Sequence, residues 1–132
     1  MSIMRSVILA LALGACDWPV GVNCTSEARP SIRLTLVDST TGAPILGEFT
    51  VMINDGDYLE SVSASNPPIE PTRIFLGEER PGIYRVKAKA TGYQSWQRGG
   101  IRVTEDRCHV RTVEVEARLQ AETPVSATAV SW

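Results

Sequence analysis

The sequence predicts an all-β chain: a single antiparallel β-sandwich of about seven strands with Greek-key connections. Three observations carry that expectation. Short runs in which apolar and polar residues alternate recur through the middle of the chain, and a period of two belongs to half-buried strands. Clusters of Gly, Pro, Asn and Asp separate these runs, and no helical period appears after the first 15 residues. The 132 residues are 43% apolar and 21% charged, a globular composition that suits one domain and does not suit a disordered chain.

The elements follow in order. Ile32, Leu34 and Leu36 alternate with Arg33 and Thr35, a first strand that ends in the turn residues Asp38 to Gly42. Ile45, Phe49, Val51 and Ile53 share the next apolar face, with Glu48 and Thr50 opposite. Gly47 on that face marks a bulge or a close approach. Asn54-Asp55-Gly56-Asp57 is a hairpin signal, because Asp-Gly accepts the positive φ values of a type I′ turn, and a strand through Tyr58, Leu59 and Val62 returns from it. Pro67, Pro68 and Pro71 make a loop, Arg73 to Leu76 a short strand, and Pro81-Gly82 a further break. Tyr84, Val86, Ala88 and Ala90 alternate cleanly with Arg85, Lys87 and Lys89. After Gly92-Tyr93 come a short stretch with Trp96, the pair Gly99-Gly100 and a strand from Ile101 to Val103. The last strand is expected from Cys108 to Leu119, with a bulge near Arg111-Thr112 because Val110 breaks the parity of Val113, Val115, Ala117 and Leu119. Residues 120–132 form a small, polar tail expected to be poorly ordered.

Ahead of this domain, Arg5 precedes an apolar run from Val7 to Leu13, too short to span a bilayer but suited to a signal peptide. Leu13-Gly14-Ala15-Cys16 looks like a lipobox, where a diacylglyceryl group joins the cysteine sulfur and the chain is cut before it. Only a thiol can form that thioether, and small residues suit a narrow peptidase groove. The expected organisation is therefore a signal peptide over residues 1–15, a lipidated tether over 16–30 including Asp17 and Trp18, a sandwich over 31–119 and the tail. The expected location is a bacterial cell envelope, with the protein held to a membrane by lipid on Cys16. Asp17 is compatible either with a retention signal for the inner membrane or with a plain tether residue.

With Cys16 lipidated, Cys24 and Cys108 remain, and in an oxidising compartment such a pair forms a disulfide. A zinc set would need more ligands than two cysteines and His109, so no metal or cofactor is expected and His109 reads as a surface or strand-end residue. Asn23-Cys24-Thr25 matches a glycosylation pattern by accident. The net charge of −2, with both signs interleaved, gives no support to nucleic-acid binding.

The run from Val37 to Gly47, the later Gly82-Ile83-Tyr84-Arg85-Val86, and Gly92-Tyr93 together resemble the carboxypeptidase regulatory-like domain, a prealbumin or transthyretin-like β-sandwich. The resemblance covers about residues 30–119 and implies an accessory module in binding, spacing or folding support. It does not imply peptidase activity, because the catalytic domain that such modules accompany is absent. The family's shared motifs are structural and bring over no functional residues. Among enzymes, the transthyretin-like hydroxyisourate hydrolases use several histidines, an arginine and a Tyr-Arg-Gly-Ser terminus. This chain has one histidine and ends Val130-Ser131-Trp132. The carboxylates Glu78, Glu79, Glu105 and Asp106 sit beside turns, where solvated acids are ordinary, and Asp55 and Asp57 belong to a hairpin more simply than to a calcium site. The chain is thus expected to be no enzyme. Its expected function is binding of an envelope protein or glycan, with a purely structural role in envelope integrity as the alternative. Tyr93, Trp96 and Arg98, together with Tyr58 and Trp18, are the candidate contacts, because exposed aromatics stack on sugars and anchor interfaces.

Overall fold

The computed structural model describes residues 21–65 and 73–123. Cys16, Trp18, the three prolines after Asn66 and residues 124–132 lie outside them. Seven strands build two sheets: β1 (Pro30–Asp38), β2 (Phe49–Asp55), β3 (Tyr58–Ala64), β4 (Ile74–Glu78), β5 (Gly82–Ala90), β6 (Trp96–Val103) and β7 (Val113–Leu119). The orders are β4-β1-β7 and β3-β2-β5-β6. The sheets pack face to face as a β-sandwich. The Greek-key crossing is made by β5, which returns after β3 and β4 to lie beside β2.

Alternation decides which residues form the core. Ile32, Leu34 and Leu36 of β1, Val51 and Ile53 of β2, and Tyr84, Val86, Ala88 and Ala90 of β5 are buried against Leu76, Ile101, Val103, Val115, Ala117 and Leu119. Burying an aliphatic side chain of this size stabilises the fold by about 1.5–3 kcal/mol. Tyr84 is the largest fully buried side chain, and its hydroxyl donates to the Arg80 carbonyl at 2.8 Å. The polar Ser31 is buried with it and donates to the same carbonyl at 2.6 Å.

Several expectations change. The sandwich is not wholly antiparallel: β1 and β7 pair in parallel, from Ile32 opposite Val113 to Asp38 opposite Leu119. The chain between them passes through β2 and β3 of the other sheet, returns as β4 on the far side of β1, and crosses again through β5 and β6, and a long crossover is what parallel neighbours require. The last strand begins at Val113, not at Cys108. Val110 forms an isolated bridge with Glu105 instead, so the parity break marks the end of a loop and no bulge. The real irregularity lies between Tyr84 and Val86 of β5, opposite Gly99-Gly100, which belong to β6 and do not end it; Gly100 has φ 69°. Gly47 sits in a bend with nothing within 4 Å of a would-be Cβ, so neither bulge nor close approach occurs there. At the β2–β3 hairpin Asp55 pairs with Tyr58, and of the two loop residues only Gly56 has positive φ, the pattern of a II′ turn and not I′. Gln120 to Glu122 are tied down: Ala121 bridges Tyr93, and the Glu122 N–H donates to the Gly92 carbonyl at 2.8 Å.

These directions give the sandwich two ends. The chain enters β1 at one end, which also carries the β2–β3 turn, the β4–β5 turn and the β6–β7 loop. The far end carries the β5–β6 turn and the exit from β7.

Candidate functional site

At the entry end, Cys24 and Cys108 are joined in a disulfide with their Cα atoms 5.2 Å apart. The residues that follow each cysteine meet as well. The Thr25 hydroxyl lies 3.0 Å from His109 Nε2, and His109 Nδ1 lies 2.6 Å from Glu79 Oε1. Glu79 also accepts the Arg29 N–H at 2.9 Å and the Val110 N–H at 3.0 Å, while its own N–H donates to the Arg29 carbonyl at 2.9 Å. One carboxylate therefore ties three chain segments together. Its backbone has φ 46°, a left-handed conformation that is uncommon outside glycine and persists only where surrounding bonds fix it. Asp106 supports the loop by accepting the N–H groups of Cys108 at 2.8 Å and His109 at 3.0 Å.

The electrostatics follow. Burial pushes the Glu79 carboxyl up, but the bonds from Val110, His109 and Arg29 outweigh it and hold the group below its ordinary range. The His109 and Cys108 N–H groups lower Asp106 in the same way. His109 is therefore no surface residue: it is 9% exposed, and both ring nitrogens are engaged. Nor is Glu79 a solvated turn acid. The order hydroxyl, imidazole, carboxylate is that of a hydrolytic triad. Here the carboxylate also accepts two backbone N–H groups and the threonine belongs to the entering segment, so the arrangement joins that segment to the β4–β5 turn and the β6–β7 loop.

Beside these contacts, a cleft of about 730 Å³ opens between the edges of β3 and β4. Its walls are aromatic and charged. Phe75 is 55% exposed, with the Arg33 guanidinium 5.7 Å from its ring centre. Tyr58 lines it too, and the Arg80 guanidinium, which is not part of the lining, lies 4.2 Å from the Tyr58 ring centre. Tyr58 donates to Glu60 at 2.6 Å, and Glu60 also accepts the Gly77 N–H at 2.8 Å, which fastens β3 to β4. The hydrogen bond to Glu60, with burial, pushes the Tyr58 phenol up to about 12, so it remains a donor. Arg33 pairs with Glu114, yet its Nε is buried without a partner among the described residues.

Of the residues expected to make contacts, Trp18 lies outside the described residues, and among the others only Tyr58 is brought into this cleft. Tyr93 packs against the core at the far end and donates to Asp38 at 3.0 Å. Trp96 opens β6, half-buried against the core, and borders a shallow groove of about 480 Å³ with Thr50, Met52, Lys87 and Lys89. Arg98 is exposed on β6 opposite Val86. Phe75, Arg33, Glu79 and His109 carry the geometry that sequence reasoning missed. The cleft arises because β4 joins one sheet and β3 the other, and no spacing in the sequence announces it. Among the described residues no cluster of three His, Cys, Asp or Glu side chains suited to a metal ion occurs. Comparison with family models, curated proteins and solved structures finds no match to this chain.

Proposed function

We propose that this chain is a non-catalytic, membrane-anchored envelope lipoprotein, a sandwich of the carboxypeptidase regulatory-like kind that holds a protein or glycan partner. The observation that carries the reading is the cleft between β3 and β4. Its volume is that of ligand sites, about 300–1,000 Å³, and it is lined by Tyr58 and by an exposed Phe75 with the Arg33 guanidinium over its ring. Sugars and peptide side chains are both held by such surfaces. Cys16 is the lipid site in this proposal, and Cys24 is where the tether becomes fixed to the fold.

The test is affinity capture from detergent-solubilised envelopes, alongside binding to envelope glycans, with the parent chain and with Phe75→Ala. The proposal expects a partner that is held by the parent and lost on Phe75→Ala while the melting temperature stays unchanged. A partner held equally by Phe75→Ala and by Tyr58→Phe would overturn the cleft as its site.

A further inference from the structure

The outward positions of the four-stranded sheet form an uninterrupted row of one sign. Arg85, Lys87 and Lys89 project from β5, and Arg102 projects beside them from β6, opposite Ile83. The outward positions of β2 and β3 are neutral. Among the described residues carboxylates stand at its margins: Glu122, which pairs with Lys89 at 2.7 Å, and Glu48, just ahead of β2, at the far margin, and Asp55 and Asp57 at the β2–β3 turn of the entry margin. The opposite sheet differs: its outward arginines are matched, Arg33 by Glu114 and Arg118 by Glu116. Arg85, Lys87 and Arg102 have no ion pair among the described residues. In a chain of net charge −2 this is a marked segregation of charge.

The same face carries exposed apolar side chains. Leu59 is 63% exposed, Ile83 51% and Met52 36%. Leu59 and Ile83 lie toward the entry end, the end that also carries the disulfide. Cations mixed with separate apolar side chains on a flat face are the composition of a surface that lies on a bilayer, where the cations meet headgroup phosphates and the apolar groups enter between them.

We propose that the outer face of the four-stranded sheet docks on an anionic phospholipid surface, so that the domain lies flat on the membrane that anchors it. The inference rests on the proposed anchor at Cys16. From Cys16 to Cys24 the chain can reach at most about 28 Å, at 3.3–3.6 Å per residue, about the length of β5. That reach lets the domain lie down and keeps it from moving far from the headgroups. A basic face on an anchored domain therefore meets phosphate at high local concentration. In this orientation the cleft between β3 and β4 stays open at the side.

The chain has only two lysines, Lys87 and Lys89, and both are on this face. Amine labelling therefore reads this face alone once the N-terminus is acylated. The experiment places the membrane-extracted full chain in vesicles of phosphatidylcholine, with or without phosphatidylglycerol. A water-soluble amine reagent is applied, and modification of Lys87 is read by peptide mass. The expected result is a severalfold loss of labelling on the anionic vesicles, reversed by high salt. It should be absent in the variant Arg85→Gln, Arg102→Gln, Leu59→Ser, whose melting temperature is checked in parallel. Equal labelling on both vesicles overturns the docking, as does protection that survives in the variant or appears equally on neutral vesicles, which would point to a protein or glycan cover. Failure of the anchor is seen separately: an unlipidated chain would not float with neutral vesicles. If that chain still co-sedimented with anionic vesicles and the variant did not, the face would stand and the anchor would fall.

Discussion

Removing the Cys24–Cys108 bridge tests how the entering segment is held. The bond closes a separation of 84 residues that encloses nearly all of the sandwich. In the chain-entropy description a loop of that length stabilises the folded state by about 4.5 kcal/mol at 25 °C, and measured values often fall below it. For a domain of about 100 residues each kcal/mol moves the melting temperature by about 4–8 °C, so Cys24→Ala with Cys108→Ala should melt on the order of 20 °C lower. The contacts among Thr25, His109 and Glu79 remain in that variant, so the fold itself should persist at room temperature. Circular dichroism melts of the parent, the parent with reductant and the double variant give the comparison, and the last two should coincide. A drop below about 4 °C would correspond to less than 1 kcal/mol and refute the idea that the bridge constrains the unfolded chain.

Other expectations follow from single contacts. Gly77→Ala should destabilise by more than about 1 kcal/mol, because φ there is 64° and a Cβ would meet Ser31 at 3.0 Å; urea midpoints would show it. Ile53→Ala, at a fully buried position, should cost about 2–5 kcal/mol in the same assay. Tyr84→Phe removes the bond to the Arg80 carbonyl and should cost about 0.5–1.5 kcal/mol. Acid should weaken the entry end. Glu79 and Asp106 are lowered in the folded state from ordinary values of 4.5 and 3.8, so the unfolded chain takes up protons first. Their stabilisation is complete above those ordinary values and is lost as pH falls through the lowered folded ones. The urea midpoint should thus hold from neutrality to about pH 5 and then fall, less steeply in Glu79→Gln.

Much of the architecture was legible because alternation is a local signal. Tyr84 to Ala90 announces β5 by itself, and the strand forms as read, extended only by Gly82-Ile83. The disulfide was legible from count and compartment. What escaped depends on partners distant in sequence. The parallel pairing of β1 with β7 joins residues about 80 apart, and nothing local encodes its direction. Gly99-Gly100 looked like punctuation, yet a sheet edge absorbs two glycines as a bulge. Glu79 looked like a turn acid because the groups that fix it, Arg29, His109 and Val110, come from two other segments. The cleft is invisible for the same reason, since Phe75 and Tyr58 belong to different sheets. The basic face was written in Arg85, Lys87 and Lys89, but its meaning needed β2 and β3 alongside to show that their outward positions carry no acid.

In the proposed function the chain is fixed to a membrane at Cys16, and the disulfide fixes it to its own fold at Cys24. The intact mass of the membrane-extracted protein, taken with and without reductant, tests both. A mass for cleavage before Cys16 plus diacylglyceryl and acyl groups, rising by two hydrogens on reduction, is the predicted result. A retained N-terminus, or a chain without lipid, would contradict the anchor and leave Cys16 as a third, unassigned thiol.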